Sequence, residues 1–175
     1  MVDLQTLSLM LAATSIVIAA SYYILTLRNT RLTRQAQLFN QVYQTFSTTE
    51  LHRNYMELLN YEWKDYEDFE RKYGSNTNLD SYSKRASLWL WFNGMGLLMQ
   101  KKLIDPEMVY FTAGNQALWT WAKFEPIIKE ICRGYNVSDS FEHFEYLVNE
   151  MRKISDRRGS QLADIPETFA TYVPE

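Results

Sequence analysis

At 175 residues with a formal net charge of −3, the chain is long enough for one domain with a sizeable core. All 18 lysines and arginines and all but one of the 21 acidic residues lie beyond Leu27. The near balance of charge there argues against a nucleic-acid module, which needs a basic face to neutralise phosphates. A single cysteine, Cys132, excludes an intrachain disulfide and fits a reducing compartment.

The run Leu4–Leu27 carries no charge and is followed at once by Arg28, Arg31 and Arg34. As a helix it measures about 36 Å, enough for a hydrocarbon core of about 30 Å. Only Met1, Val2 and Asp3 precede it, so it lacks the basic n-region of a cleaved signal, and Ile18-Ala19-Ala20-Ser21 resembles a cleavage site only faintly. The segment 1–27 therefore reads as a single transmembrane anchor. The arginines after it place the rest of the chain in the cytoplasm and the N-terminus outside, with Tyr22 and Tyr23 near the basic end as interfacial residues. Ser8, Ala12, Ser15 and Ala19 form a weak ridge of small residues suited to pairing of anchors.

Apolar residues continue at helical spacing through Leu32, Phe39, Val42 and Phe46 without glycine or proline, which predicts a juxtamembrane amphipathic helix over 28–46. A helical domain is expected over 47–155. Ser47-Thr48-Thr49-Glu50 reads as a capping box opening a helix to about Asn60. A short acidic helix follows, from Asp65 to Tyr73, closed by Gly74. Asp80–Lys102 is strongly apolar, but only about 22 Å of it separates Arg85 from Lys101 and Asn93 interrupts it, so it reads as a buried central helix. Gly94 and Gly96 are expected to admit a neighbouring helix closely.

Asp105-Pro106 starts a helix to about Ala113. Another is expected from Asn115, kinked at Pro126 and ended by Gly134. Phe141, Phe144, Leu147, Val148, Met151 and Ile154 give the cleanest stripe, on a helix over Asp139–Ser155. Residues 156–175, with Arg157-Arg158-Gly159-Ser160 and two prolines, read as a flexible tail. The expected architecture is all-α: one N-terminal transmembrane helix continuing into a cytoplasmic multi-helix bundle.

Chemistry-bearing patterns are sparse. Cys132, His52 and His143 cannot furnish a four-ligand zinc site, and neither histidine completes a Glu-x-x-His pair. Asp139 and His143 read as a solvated ion pair on one helix face. Cys132 has Lys129 and Arg133 nearby, yet no base and orienting group accompany it. No Gly-rich phosphate loop and no Gly-x-Ser-x-Gly elbow occur. Asn136-Val137-Ser138 is a formal glycosylation sequon which, in a cytoplasmic domain, is an ordinary loop. No metal, cofactor or catalytic residue is assigned.

What stands out is aromatic. Trp63 and Tyr66, alternating with acids, and Trp89, Trp91, Trp119 and Trp121 either pack the core or present a face to a partner. The expected function is a non-enzymatic interaction module tethered to the bilayer, with a protein partner or a second copy as its target. The alternative is a sensor enclosing a small apolar ligand among these aromatics.

Several stretches resemble a family of archaeal and bacterial proteins. They are the Asp3-Leu4-Gln5-Thr6 opening, Tyr43 to Phe46, Glu62-Trp63-Lys64-Asp65-Tyr66-Glu67-Asp68-Phe69, Phe92-Asn93-Gly94-Met95-Gly96-Leu97-Leu98, Trp121-Ala122-Lys123-Phe124-Glu125-Pro126 and Phe141-Glu142-His143-Phe144. The resemblance spans Asp3 to Ile154. It implies a single-pass anchor and a helical domain of unknown function, and it brings no catalytic residues.

Overall fold

A computed structural model describes residues 3–137, 139–159, 166 and 169. Among them are six α-helices and no strand: α1 (Leu4–Phe46), α2 (Thr49–Leu59), α3 (Tyr66–Tyr73), α4 (Leu79–Gln100), α5 (Pro106–Tyr135) and α6 (Glu142–Arg158). The chain divides into two compact units, Met1–Leu38 and Phe39–Glu175. Ser138 of the sequon and most of 160–175 lie outside the described residues.

The first unit holds the apolar run of α1 and the turns after it to Leu38. α1 is the one described helix long and apolar enough to cross a membrane, and none of its apolar window is buried. Several of its hydroxyls turn back on their own backbone. The hydroxyls of Thr14, Ser15, Thr26 and Thr30 each donate to the carbonyl four residues earlier at 2.8 Å. Such bonds leave the outer surface of the helix apolar.

The second unit begins with the last turns of α1, whose one buried residue is Phe46. Its ring stacks on Trp91 at 4.5 Å. The chain then turns into α2, capped by Thr48 rather than Ser47: the Thr48 side chain accepts from the Leu51 amide at 3.2 Å. Ser47 is still held by α1, its amide bonded to the Tyr43 carbonyl. The cap therefore moves one residue on and the Ser47–Glu50 box does not form. Asp65 and Asn78 cap α3 and α4 by the same device.

α6 packs against both α4 and α5, while α2 and α3 pack against α4. The α6 stripe is closed into this core, with Phe144, Leu147, Val148, Met151 and Ile154 all buried. The helix itself starts at Glu142 and ends at Arg158, where Gly159 takes the left-handed conformation. Asp139 is thus in the turn before α6, and the expected Asp139–His143 pair on one helix face is not formed.

α5 corrects a further expectation. It is one helix, not two, and passes through Gly114, Asn115 and Pro126. Ala113, Gly114 and Ala117 are buried, so the small residues make a close-packing surface whose burial outweighs the glycine cost of about 1 kcal/mol. Pro126 and Ala122, whose carbonyl it leaves without a helix donor, are both exposed, so that carbonyl is not sealed in the core. Asn136, left-handed at φ 53°, ends the helix rather than Gly134.

The Asn93–Gly96 segment fastens α6 to α4. Phe141, at the N-cap of α6, makes no side-chain cap. Asn93 supplies one across the interface, its Oδ1 accepting from the Phe144 amide at 3.0 Å. One turn on, buried Gly96 faces the His143 carbonyl, leaving no room for a Cβ, whereas Gly94 faces open space.

Candidate functional site

The six aromatic residues read as either core or an interaction face do not share one surface. Trp63, Trp89 and Trp121 are buried in the core, while Tyr66, Trp91 and Trp119 are half-buried on different helices or turns of helix. As members of an interaction face, the three buried tryptophans are corrected: helices pack against their sides of α4, α5 and the loop before α3. Trp63 and Trp89 meet through Phe124, whose ring lies 5.3 Å from each. Trp121 packs edge-on against Phe144 instead.

Two cations are buried around this aromatic knot, and the sequence reading missed both. Arg85, on α4, is 2% exposed. Its guanidinium lies over Phe69, Trp89 and Tyr82 at 4.8, 5.0 and 5.1 Å. One weak bond, from Nη2 to the Tyr73 carbonyl at 3.4 Å, is its hydrogen bond among the described residues. Arg85 Nε and Trp89 Nε1 are buried without a hydrogen-bond partner there. Burial lowers the Arg85 pKa, with Glu70 opposing it.

Lys123, on α5, is 4% exposed. Its Nζ donates to the Leu59 carbonyl at 2.7 Å and to the Phe169 carbonyl at 2.9 Å, and lies over the Trp63 ring at 5.2 Å. Leu59 is the last residue of α2, so the ammonium also meets the negative end of a helix dipole. Burial still pushes Lys123 down to about 8, against the pull of Glu62. Through the Phe169 carbonyl, the segment read as a flexible tail touches the domain at this residue.

The sign of the pH effect follows. Below pH 8 Lys123 is charged in both states, and the burial penalty is fully felt. Between about pH 8 and its ordinary value of 10.5 the unfolded chain holds the proton longer, so stability rises with pH. Cys132 works in the opposite direction near its ordinary value of 9.0, which makes a difference measurement the clean one. The stability of the native chain relative to Lys123→Met is expected to rise by about 1.5 kcal/mol from pH 8 to 9.5. Urea unfolding in mild detergent, followed by tryptophan fluorescence, checks this, since all five tryptophans lie between residues 63 and 121.

Signals for both cations were present. Arg85 precedes buried Leu88, Trp89 and Phe92 by three, four and seven residues, and Lys123 sits between buried Thr120 and Ile127. A charge on the apolar stripe of a helix is the mark of a buried, ring-covered cation.

Beside the knot lies an open groove of about 490 Å³ lined by Trp121, Ile128, Cys132, Asn136, Phe141 and Glu145, among others. Phe141 connects it to Trp89, ring to ring at 5.8 Å. Lys129 and Arg133 at its rim pair with Glu125 and Glu130. Burial, and then Asp139, raise the Cys132 pKa, so the groove holds a thiol rather than a nucleophilic thiolate. His143 sits outside the groove lining, 3.6 Å from Glu142 Oε1. Among the described residues no group of three or more His, Cys, Asp or Glu could hold a metal ion.

The remaining buried charge is structural. Asp68 accepts from the Lys72 ammonium at 2.8 Å, the Lys64 amide at 3.1 Å and Arg71. These bonds, that of Lys72 foremost, hold its carboxyl down at about 2 and tie the loop after α2 to α3.

These features define a class: an all-α domain with an aromatic core, preceded by a helix long and apolar enough to cross a membrane. Residues 8–151 match the family described as a domain of unknown function (DUF4760), and the chain belongs to that family. No curated protein and no solved structure matches it.

Proposed function

We propose that this chain is a single-pass membrane protein, like the archaeal and bacterial proteins it resembles. On this reading its helical domain is a non-enzymatic docking module on the cytoplasmic side. The observation that carries the reading is the exposure of the apolar run. Leu4 is 82% exposed and Ile16 69%, and no residue of the run is buried. Burying one such side chain is worth about 1.5–3 kcal/mol, so the run as a whole demands an apolar surrounding, and a bilayer supplies one. The family match starts at residue 8, inside this run, which supports treating it as part of the functional unit. Arg28, Arg31 and Arg34 favour a cytoplasmic domain.

The docking role is supported by what the domain leaves outside. Phe111 is 67% exposed, with the Arg158 guanidinium 4.7 Å from its ring. Aromatic residues and arginine are both enriched at protein interfaces. The groove walled by Trp121, Ile128 and Phe141 favours a second reading, in which a small apolar ligand is sensed.

Topology is tested with a single-cysteine chain, Cys132→Ser with Glu50→Cys, at an exposed position. The protein is expected to resist alkaline extraction from membranes, and a membrane-impermeant maleimide should label it only after lysis. Extraction by alkali overturns the anchor, and labelling of intact cells overturns the orientation. Docking is tested by purification from native membranes in mild detergent. A stoichiometric partner should be retained by the native chain and lost from a folded Phe111→Asp variant. A bare monomer in both sinks the docking role and leaves the groove to be screened with apolar ligands.

A further inference from the structure

Arg28, Arg31 and Arg34 are exposed, and none has an ion-pair or hydrogen-bond partner among the described residues. No acidic residue occurs between Asp3 and Glu50, so nothing nearby in the sequence neutralises the three charges. On α1 the spacing of three places them within an arc of about 120°, rising about 4.5 Å at each step. Arg28 directly follows the last residue of the apolar run. Arg31 and Arg34 then stand about 4.5 and 9 Å further along, through the depth of a headgroup layer and within one Debye length of its phosphates. Thr30, between them, has its hydroxyl turned to the Thr26 carbonyl and does not compete for a ligand.

We infer that these three arginines form a binding site for the phosphates of anionic phospholipids in the leaflet facing the domain; the inference rests on the membrane reading above. The residue type fits the ligand. A guanidinium donates two parallel bonds to a phosphodiester and is more weakly hydrated than an ammonium. Three positive charges without a protein counter-ion favour a lipid of net negative charge over a zwitterionic one. The site holds the helix at a fixed depth, with Arg28 at the hydrocarbon edge.

The test uses the full chain reconstituted in phosphatidylcholine bilayers containing trace spin-labelled phosphatidylglycerol or phosphatidylcholine. At low salt, phosphatidylglycerol is expected to associate about fivefold more strongly at the sites beside the arginines. The preference should fall towards unity in about 1 M salt, where the Debye length is about 3 Å, and in the Arg28→Gln, Arg31→Gln, Arg34→Gln variant. The corresponding lysine variant should keep part of it. Equal association of the two lipids at low salt, or an undiminished preference in the glutamine variant, overturns the inference. Displacement by soluble glycerol phosphate at equal ionic strength also overturns it, because the ligand would then be a free phosphate. Alkaline extraction of the same vesicles separates the two readings: a chain that stays in the bilayer without lipid preference refutes this site alone, and a chain that washes out refutes the anchor.

Discussion

Gly96→Ala is expected to destabilise the helical domain by about 3 kcal/mol or more, while Gly94→Ala, two residues away on the same helix, stabilises it by about 1 kcal/mol. A Cβ at position 96 runs into the backbone carbonyl of His143, which cannot rotate aside as a side chain would. The accommodating movement is a shift of the α6 N-terminus, and that shift also loosens the bond from the Phe144 amide to Asn93. At position 94 the same methyl meets nothing within 4 Å, so what remains is the gain in helix propensity. Urea unfolding of the two variants, read by tryptophan fluorescence, gives midpoints on opposite sides of the native one. Equal midpoints would mean that α4 and α6 do not approach as closely as described.

Phe124→Ala should cost about 3–5 kcal/mol. Phe124 is fully buried and its ring contacts Trp63, Phe69 and Trp89, two of which also face the Arg85 guanidinium. Removing it opens a cavity at the centre of the knot and loosens the rings that shield Arg85. Phe111→Ala, on the same helix but exposed, is expected to stay within about 0.5 kcal/mol of the native chain. A small effect at Phe124 would show that the knot is not the core of the domain.

The helical plan was legible wherever one face of a helix is buried and the other wet. The α6 stripe from Phe144 to Ile154 and the end of α1 at Phe46 follow from apolar spacing, because a half-buried helix has to repeat every three to four residues. α5 was not legible as one helix, because the local preferences of Gly114, Asn115 and Pro126 argue for a break. Burial of Ala113, Gly114 and Ala117, a matter of what packs against them, overrides those preferences.

The candidate site was less legible. On α4, Trp89 is buried, Leu90 exposed and Trp91 half-buried, because successive residues point about 100° apart; composition cannot say which of them a neighbouring helix covers. Asn93 looked like an interruption of an apolar helix and proves to be the cap of another one.

By itself the sequence determined the helical class, the uncharged run with its arginines, and the separation of that run from a nearly charge-balanced domain. These are local properties, set by the order of apolar and charged residues along one helix. Only the tertiary structure decided that Gly96 and not Gly94 is the point of closest approach, that three of the five tryptophans are core, and that Arg85 and Lys123 are buried cations that meet aromatic rings and backbone carbonyls. Each of those depends on which groups from distant parts of the chain meet, and burial and hydrogen-bond satisfaction are properties of the meeting, not of either residue alone.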